Sequence, residues 1–223
     1  MTMTTLTSPP LANLLPQLFA DADASQRALH VELAALSPDE RERLLGPDAD
    51  WRTLYSRTKD AWLAVSPETG SLLYLLARSM RATSIIEFGM SFGLSTLHLA
   101  AALRDNGGGR LITSEFEPSK VERARANFAR AQLDDLIEVR TGDALQTLAH
   151  DLPAEIDLVL LDGAKSLYPP VLALLESRLR VGGLVVADNA DRSPEYLEQV
   201  LDPHGRYRTV SFASDVVVSM KLG

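Results

Sequence analysis

Apolar residues recur along this chain in two rhythms. Through the first quarter they fall at helical spacing, which predicts helices at about 11–20, 24–36, 38–45 and 51–63. Ser37-Pro38-Asp39-Glu40 marks one start, with Ser37 as cap, Pro38 at the first helical position and Glu40 three on from the cap. Ser66-Pro67-Glu68-Thr69-Gly70 breaks the pattern, and a helix at about 69–81 follows. From there short β-branched runs alternate with helical stretches. Strands are expected at 84–88, 110–115, 136–140, 156–161 and 183–187, with helices between them at about 94–104, 118–132, 144–150 and 168–180. Repeated strand–helix units predict an α/β fold, a doubly wound parallel sheet with helices on both faces. The last segment changes character. After a helix near 194–202, residues 206–212 and 216–222 read as two strands joined by Ala213-Ser214-Asp215, and so short a hairpin must be antiparallel. Residues 1 to about 10 look flexible. Residues 1–65 as a whole read as a helical extension, a lid or dimer element, ahead of a domain at 66–223.

Composition narrows the classes. The 223 residues suit one domain with a sizeable core. A net charge of −8 disfavours a general nucleic-acid or anionic-membrane surface. There is no cysteine, which excludes disulfides, a thiolate zinc site and a cysteine nucleophile. Any metal must then be held by oxygen or nitrogen. The first ten residues lack the basic start and apolar core of a secretory signal, and no stretch approaches the roughly 20 apolar residues of a membrane span. A cytoplasmic enzyme is the expectation. His30, His98, His150 and His204 show no metal-ligand spacing, and His98 reads as a packing or surface residue. Trp62 reads as a packing residue, while Trp51 and Tyr55 suit either packing or a substrate pocket.

The chemistry gathers where strands end. Ser84 to Phe88 runs into Gly89 and Gly93, and a helix opens at Leu94. Strand, glycine turn and helix set an anion, pyrophosphate or carboxylate, against a helix N-terminus. The spacing is G-x-x-x-G and not the G-x-G-x-x-G of dinucleotide sites. The second strand ends at Glu115, placed to accept hydrogen bonds from ribose hydroxyls; Glu117 suits the bland role of capping the next helix. The fourth ends in Asp162-Gly163-Ala164-Lys165 and the fifth in Asp188-Asn189. Two carboxylates and an amide oxygen at adjacent strand ends are hard donors suited to magnesium.

Glu87, Gly89, Gly93 and Ser95 fill the pattern E-[hydrophobic]-G-x-x-x-G-x-S. In this, and over roughly residues 63–223, the chain resembles class I S-adenosylmethionine-dependent O-methyltransferases, especially the small metal-dependent catechol and caffeoyl-coenzyme A types. The resemblance implies a Rossmann-like seven-stranded methyltransferase sheet. It implies S-adenosylmethionine held by Glu87, Gly89, Ser91, Gly93, Ser95 and Asp162, with Glu115 on the ribose. Thr141-Gly142-Asp143-Ala144 resembles the family's adenine turn, in which Asp143 would take the amino group and the Ala144 N–H would meet the ring. Asp143 serves equally well as a helix cap. Asp162, Asp188 and Asn189 match the family's metal ligands, and Lys165, within D-x-x-K-x-x-Y ending at Tyr168, matches its catalytic base. A free lysine is a poor base at neutral pH; a neighbouring cation and the sulfonium would favour its neutral form. Ser166 and Ala164 depart from the family's acid and bulky aromatic at those places, which leaves the acceptor open. The implied activity is methyl transfer to a hydroxyl of a small, catechol-like acceptor by a homodimer. An amine or a hydroxylated tRNA base as acceptor, a non-catalytic adenosylmethionine-binding protein, and a nicotinamide oxidoreductase are the weaker readings.

Overall fold

The computed structural model describes residues 3–45 and 49–223. Four helices lead the chain: α1 (Leu11–Ala34), α2 (Pro38–Leu45), α3 (Trp51–Arg57) and α4 (Pro67–Ser79). Then β1 (Ser84–Phe88), α5 (Leu94–Asn106), β2 (Arg110–Glu115), α6 (Pro118–Ala131), β3 (Ile137–Thr141), α7 (Ala144–Thr147), β4 (Ile156–Leu161), α8 (Tyr168–Glu176), β5 (Leu179–Ala187) and α9 (Pro194–Leu201) alternate. The hairpin of β6 (Tyr207–Phe212) and β7 (Val216–Lys221) closes the chain. The seven strands form one sheet in the order β3-β2-β1-β4-β5-β7-β6. The pairs from β3 through β5 are parallel, and β7 runs antiparallel to both neighbours. This is the doubly wound, Rossmann-like sheet with an antiparallel hairpin that the strand pattern predicts.

The strand sequences explain why the sheet lies at the centre. Successive side chains point to opposite faces, so a strand covered on both sides must be apolar throughout. Ile85, Leu158 and Leu160 join the core under α1, α4, α5 and α6; Ile86, Val159 and Leu161 join the other, under α8 and α9. All six are fully buried. The order reverses between β1 and β4, and the crevice at their carboxyl ends is where open α/β sheets take ligands.

Several expected boundaries move. α1 is one helix where two were expected, because Asp21 and Asp23 face out while Leu11, Leu14, Leu15, Leu18 and Ala22 continue one buried stripe. α3 ends at Arg57 and not near 63. The Thr58 hydroxyl donates back to the Leu54 carbonyl at 2.9 Å, and the Trp62 N–H goes to Ser25 Oγ at 2.9 Å. β5 starts at Leu179, ahead of the expected 183, with a register shift opposite Ile156 and Leu158. α7 and α8 stop short of their expected ends. The expectation for residues 1–2 lies outside the described residues, while residues 3–10 are more ordered than their composition suggests. Thr5–Thr7 form a 3₁₀ turn, and Asp105 accepts from the Thr5 N–H at 3.0 Å, its hydroxyl at 2.6 Å and the Tyr74 hydroxyl at 2.6 Å. Ser37 and Glu40 form the expected capping box, the Ser37 N–H donating to Glu40 at 3.0 Å.

Candidate active site

The β1 and β4 strand ends are pinned edge to edge, with the Asp162 N–H donating to the Phe88 carbonyl at 2.7 Å. Gly89 turns away immediately after, at φ 93°. A Cβ there would stand 2.5 Å from the Asp162 carbonyl, so both the conformation and the close approach require glycine. Ser91 follows in the left-handed region, and its N–H donates to Glu115 at 2.8 Å. Glu115 also accepts from the Glu117 N–H at 3.0 Å. Burial pushes the Glu115 carboxyl up, against those donors and the Lys120 charge. Glu117, read as the cap of α6, stands at the cap position but makes no side-chain capping bond.

Glu115 faces a narrow slot of about 20 Å³. Phe116, Gly142 and Ala144 line it from β2 and β3, Phe88, Gly89, Gly163 and Ala164 from β1 and β4, and Trp51 and Tyr55 from α3. Asp143 turns its carboxylate away, to cap α7 at Leu145 N (3.0 Å) and to pair with Arg52 at 2.8 Å. Glu87, Ser91, Gly93 and Ser95 are not among the residues that line the slot. The fully buried Glu87 accepts from the Ser95, Thr96 and Thr113 hydroxyls, each at 2.6 Å, and burial raises its pKa. Gly93 seats α5 against the Phe128 ring.

A second cavity, of about 520 Å³, opens on the far side of Tyr55, which lines both. Its polar floor gathers Asp162, Lys165, Asp188, Asn189 and Asp215. Phe19, Leu29, Leu33, Leu54, Leu63 and Val65 supply apolar wall. Lys165 Nζ reaches Asp162 at 3.3 Å and donates to the Tyr168 hydroxyl at 2.8 Å, which in turn donates to the Asp188 carbonyl at 2.7 Å. Burial raises the pKa of both Asp162 and Asp188. The Lys165 charge opposes the rise at Asp162, while the facing Asp162 carboxylate adds to it at Asp188. Asn189, in the left-handed region, donates its amide to Asp215 at 3.1 Å. Among the described residues no three His, Cys, Asp or Glu side chains are grouped to hold a metal ion. Asp162, Asp188 and Asn189 nevertheless line one cavity from the ends of β4 and β5.

Residues 49–212 match the O-methyltransferase family. The chain belongs to that family. Among its relatives, the catechol O-methyltransferase of Niastella koreensis is 36% identical over 140 residues, covering 61% of this chain and 62% of that protein. The catechol O-methyltransferase of Mycobacterium tuberculosis is 35% identical over 130 residues, 58% of each chain. The matches thus span less than two thirds of either relative's length. Among solved structures, the O-methyltransferase TomG of Streptomyces achromogenes, determined in complex with SAM, is similar at a TM-score of 0.63 and 26% identity, over 84% of this chain and all of that one.

Within this O-methyltransferase fold, the structure adds residues that the sequence pattern does not single out. Asp215 sits in a hairpin turn, where an aspartate is unremarkable. Arg192 lines the larger cavity from a 3₁₀ turn after β5. Lys120 is 1% exposed, its Nζ 5.5 Å from the centre of the Phe92 ring, and burial lowers its pKa against the pull of Glu115 and Glu117. Trp51 and Tyr55 belong to the site, whereas Trp62 packs on Phe92 with ring centres 4.7 Å apart. His98 is buried, one ring nitrogen 2.8 Å from the Leu94 carbonyl, and burial lowers its pKa.

Proposed function

We propose that the protein transfers the methyl group of S-adenosylmethionine to a hydroxyl of a small, catechol-like acceptor with the help of a divalent cation, magnesium by donor chemistry. The observation that carries this reading is the floor of the larger cavity. One buried and one half-buried carboxylate, an amide oxygen and a lysine amine share one apolar-walled space. Tyr55 lines both that space and the slot at Glu115.

The residues present fit both the cofactor and the cation. Asp162 and Asp188 are hard donors whose raised proton affinity reflects negative charge held out of water, which a divalent cation would neutralise. Asn189 spends its amide N–H on Asp215, which frees its carbonyl oxygen as a third donor. Glu115, with its oxygens fixed by two backbone N–H groups, is set to receive ribose hydroxyls. When bound, S-adenosylmethionine supplies an electrophilic methyl on a sulfonium, and the cation supplies positive charge that acidifies a hydroxyl.

The chain's own part is to hold the acceptor and move its proton. Lys165 Nζ takes the hydroxyl proton, and the Tyr168 hydroxyl holds that amine beside Asp162. The Ser193 hydroxyl fixes the Lys165 carbonyl at 2.8 Å, which anchors the turn. The apolar wall excludes water from the oxygen that attacks, and holding both reactants supplies much of the acceleration. On this reading α1, α3 and the segment at 58–65 serve as wall and cover of the site. The direct test is transfer of labelled methyl to a panel of catechols. Lys165→Met should lower kcat by roughly 10²-fold or more while S-adenosylhomocysteine binding stays within a few-fold. Normal turnover in that variant would remove Lys165 as the base.

A further inference from the structure

We infer that α3 is the movable outer wall of the adenosine pocket, with Trp51 stacking on adenine opposite the β2–β3 rim and Arg52 occupying Asp143 until adenine displaces it. The inference rests on the S-adenosylmethionine reading above and assigns that pocket residues from outside the strand ends.

Three observations converge. The slot that holds Glu115 is walled on one side by strand-end turns and on the other by Trp51 and Tyr55. The Trp51 ring lies 4.9 Å from Phe116 at 76°, so aromatic groups border the slot from both sides. Arg52 Nη2 meets Asp143 at 2.8 Å, and its guanidinium sits 4.4 Å from the Trp51 ring centre. Asp143 thus has both oxygens engaged, one by Leu145 N and one by Arg52.

Size then forces motion. A space of about 20 Å³ holds on the order of one water and no nucleoside. The strand ends are locked into the sheet, so the part free to yield is α3. It is seven residues long and has no fully buried residue of its own, which places it among the weakly held elements. The latch is weak as well, because the Arg52 side chain is 52% exposed and exposed ion pairs contribute little. A nucleobase that enters gains a face of Trp51, and its amino group takes the Asp143 oxygen that Arg52 gives up.

The test is binding of S-adenosylhomocysteine and of 5′-methylthioadenosine, by calorimetry and by tryptophan fluorescence. Trp51→Ala should weaken both ligands by a similar factor, on the order of tenfold, because the lost contact is to the base they share. Trp51→Phe should keep most of the affinity. Wild-type fluorescence should change on binding, and that change should vanish in Trp51→Phe. Arg52→Ala should bind both ligands a few-fold faster. Wild-type affinity in Trp51→Ala, a fluorescence change that survives in Trp51→Phe, or slower association in Arg52→Ala would overturn the assignment while leaving the cofactor reading intact. A wild-type protein that binds neither ligand would overturn the cofactor reading itself.

Discussion

Asp162 and Asp188 concentrate the electrostatic strain of this molecule. Burial, and then the facing Asp162 carboxylate, give Asp188 a higher proton affinity in the folded chain than in the unfolded one. Between the ordinary carboxylate range, about 4, and that raised value, the folded state holds more proton than the unfolded state. Stability therefore falls as pH rises through this window. Asp188→Asn removes the titrating charge. In chelator at pH 7.5 the variant should melt roughly 2–5 °C above wild type, and the margin should close near pH 4, where both proteins carry a neutral side chain. A variant less stable than wild type at both pH values would show that Asp188 is held by favourable contacts. These two aspartates, Asn189, Lys165 and Glu115 were legible because each ends a strand or follows one, and strand ends in such sheets converge on one crevice. Glu87 was legible as part of a motif but not in its contacts, because three hydroxyls from β2 and α5 surround it. Asp215 was illegible, since its partner Asn189 lies on another element.

At the scale of elements, the strands announce themselves because they are buried on both faces and so cannot alternate. The helices ahead of them were harder. α1 continues through Asp21 and Asp23 because tertiary burial of one stripe outweighs two exposed acids. α3 is shorter than its pattern because the chain leaves it to pack Trp62 on Phe92. That α3 covers the slot depends on Phe116 and Asp143, far along the chain, which no local pattern reports. The N-terminal turn offers a test of how these helices are fastened. Burial would raise the Asp105 carboxyl, but hydrogen bonds from Thr5 and Tyr74 outweigh it and hold the group below its usual range. Its contribution is therefore complete above about pH 4 and is lost as pH falls through the lowered value. Asp105→Ala should cost about 1–3 kcal/mol in urea unfolding at pH 7, with a smaller cost at about pH 3. An unchanged midpoint at pH 7 would mean that the turn carries no stability.

For the whole molecule, one sheet serves two adjoining spaces. The slot lies over the ends of β1, β2, β3 and β4, and the larger cavity over those of β4, β5 and the hairpin turn. Tyr55 lines both spaces, and on the proposed reading the methyl group passes beside it. On the proposed reading the second space works by holding a divalent cation. The measurement that tests it most directly is methyl transfer from labelled S-adenosylmethionine to catechol, with magnesium, with chelator, and with magnesium restored. Chelator should abolish transfer and restored magnesium should return it. Transfer that continues at an undiminished rate in chelator would contradict the cation's role and the reading of Asp162, Asp188 and Asn189 as its ligands.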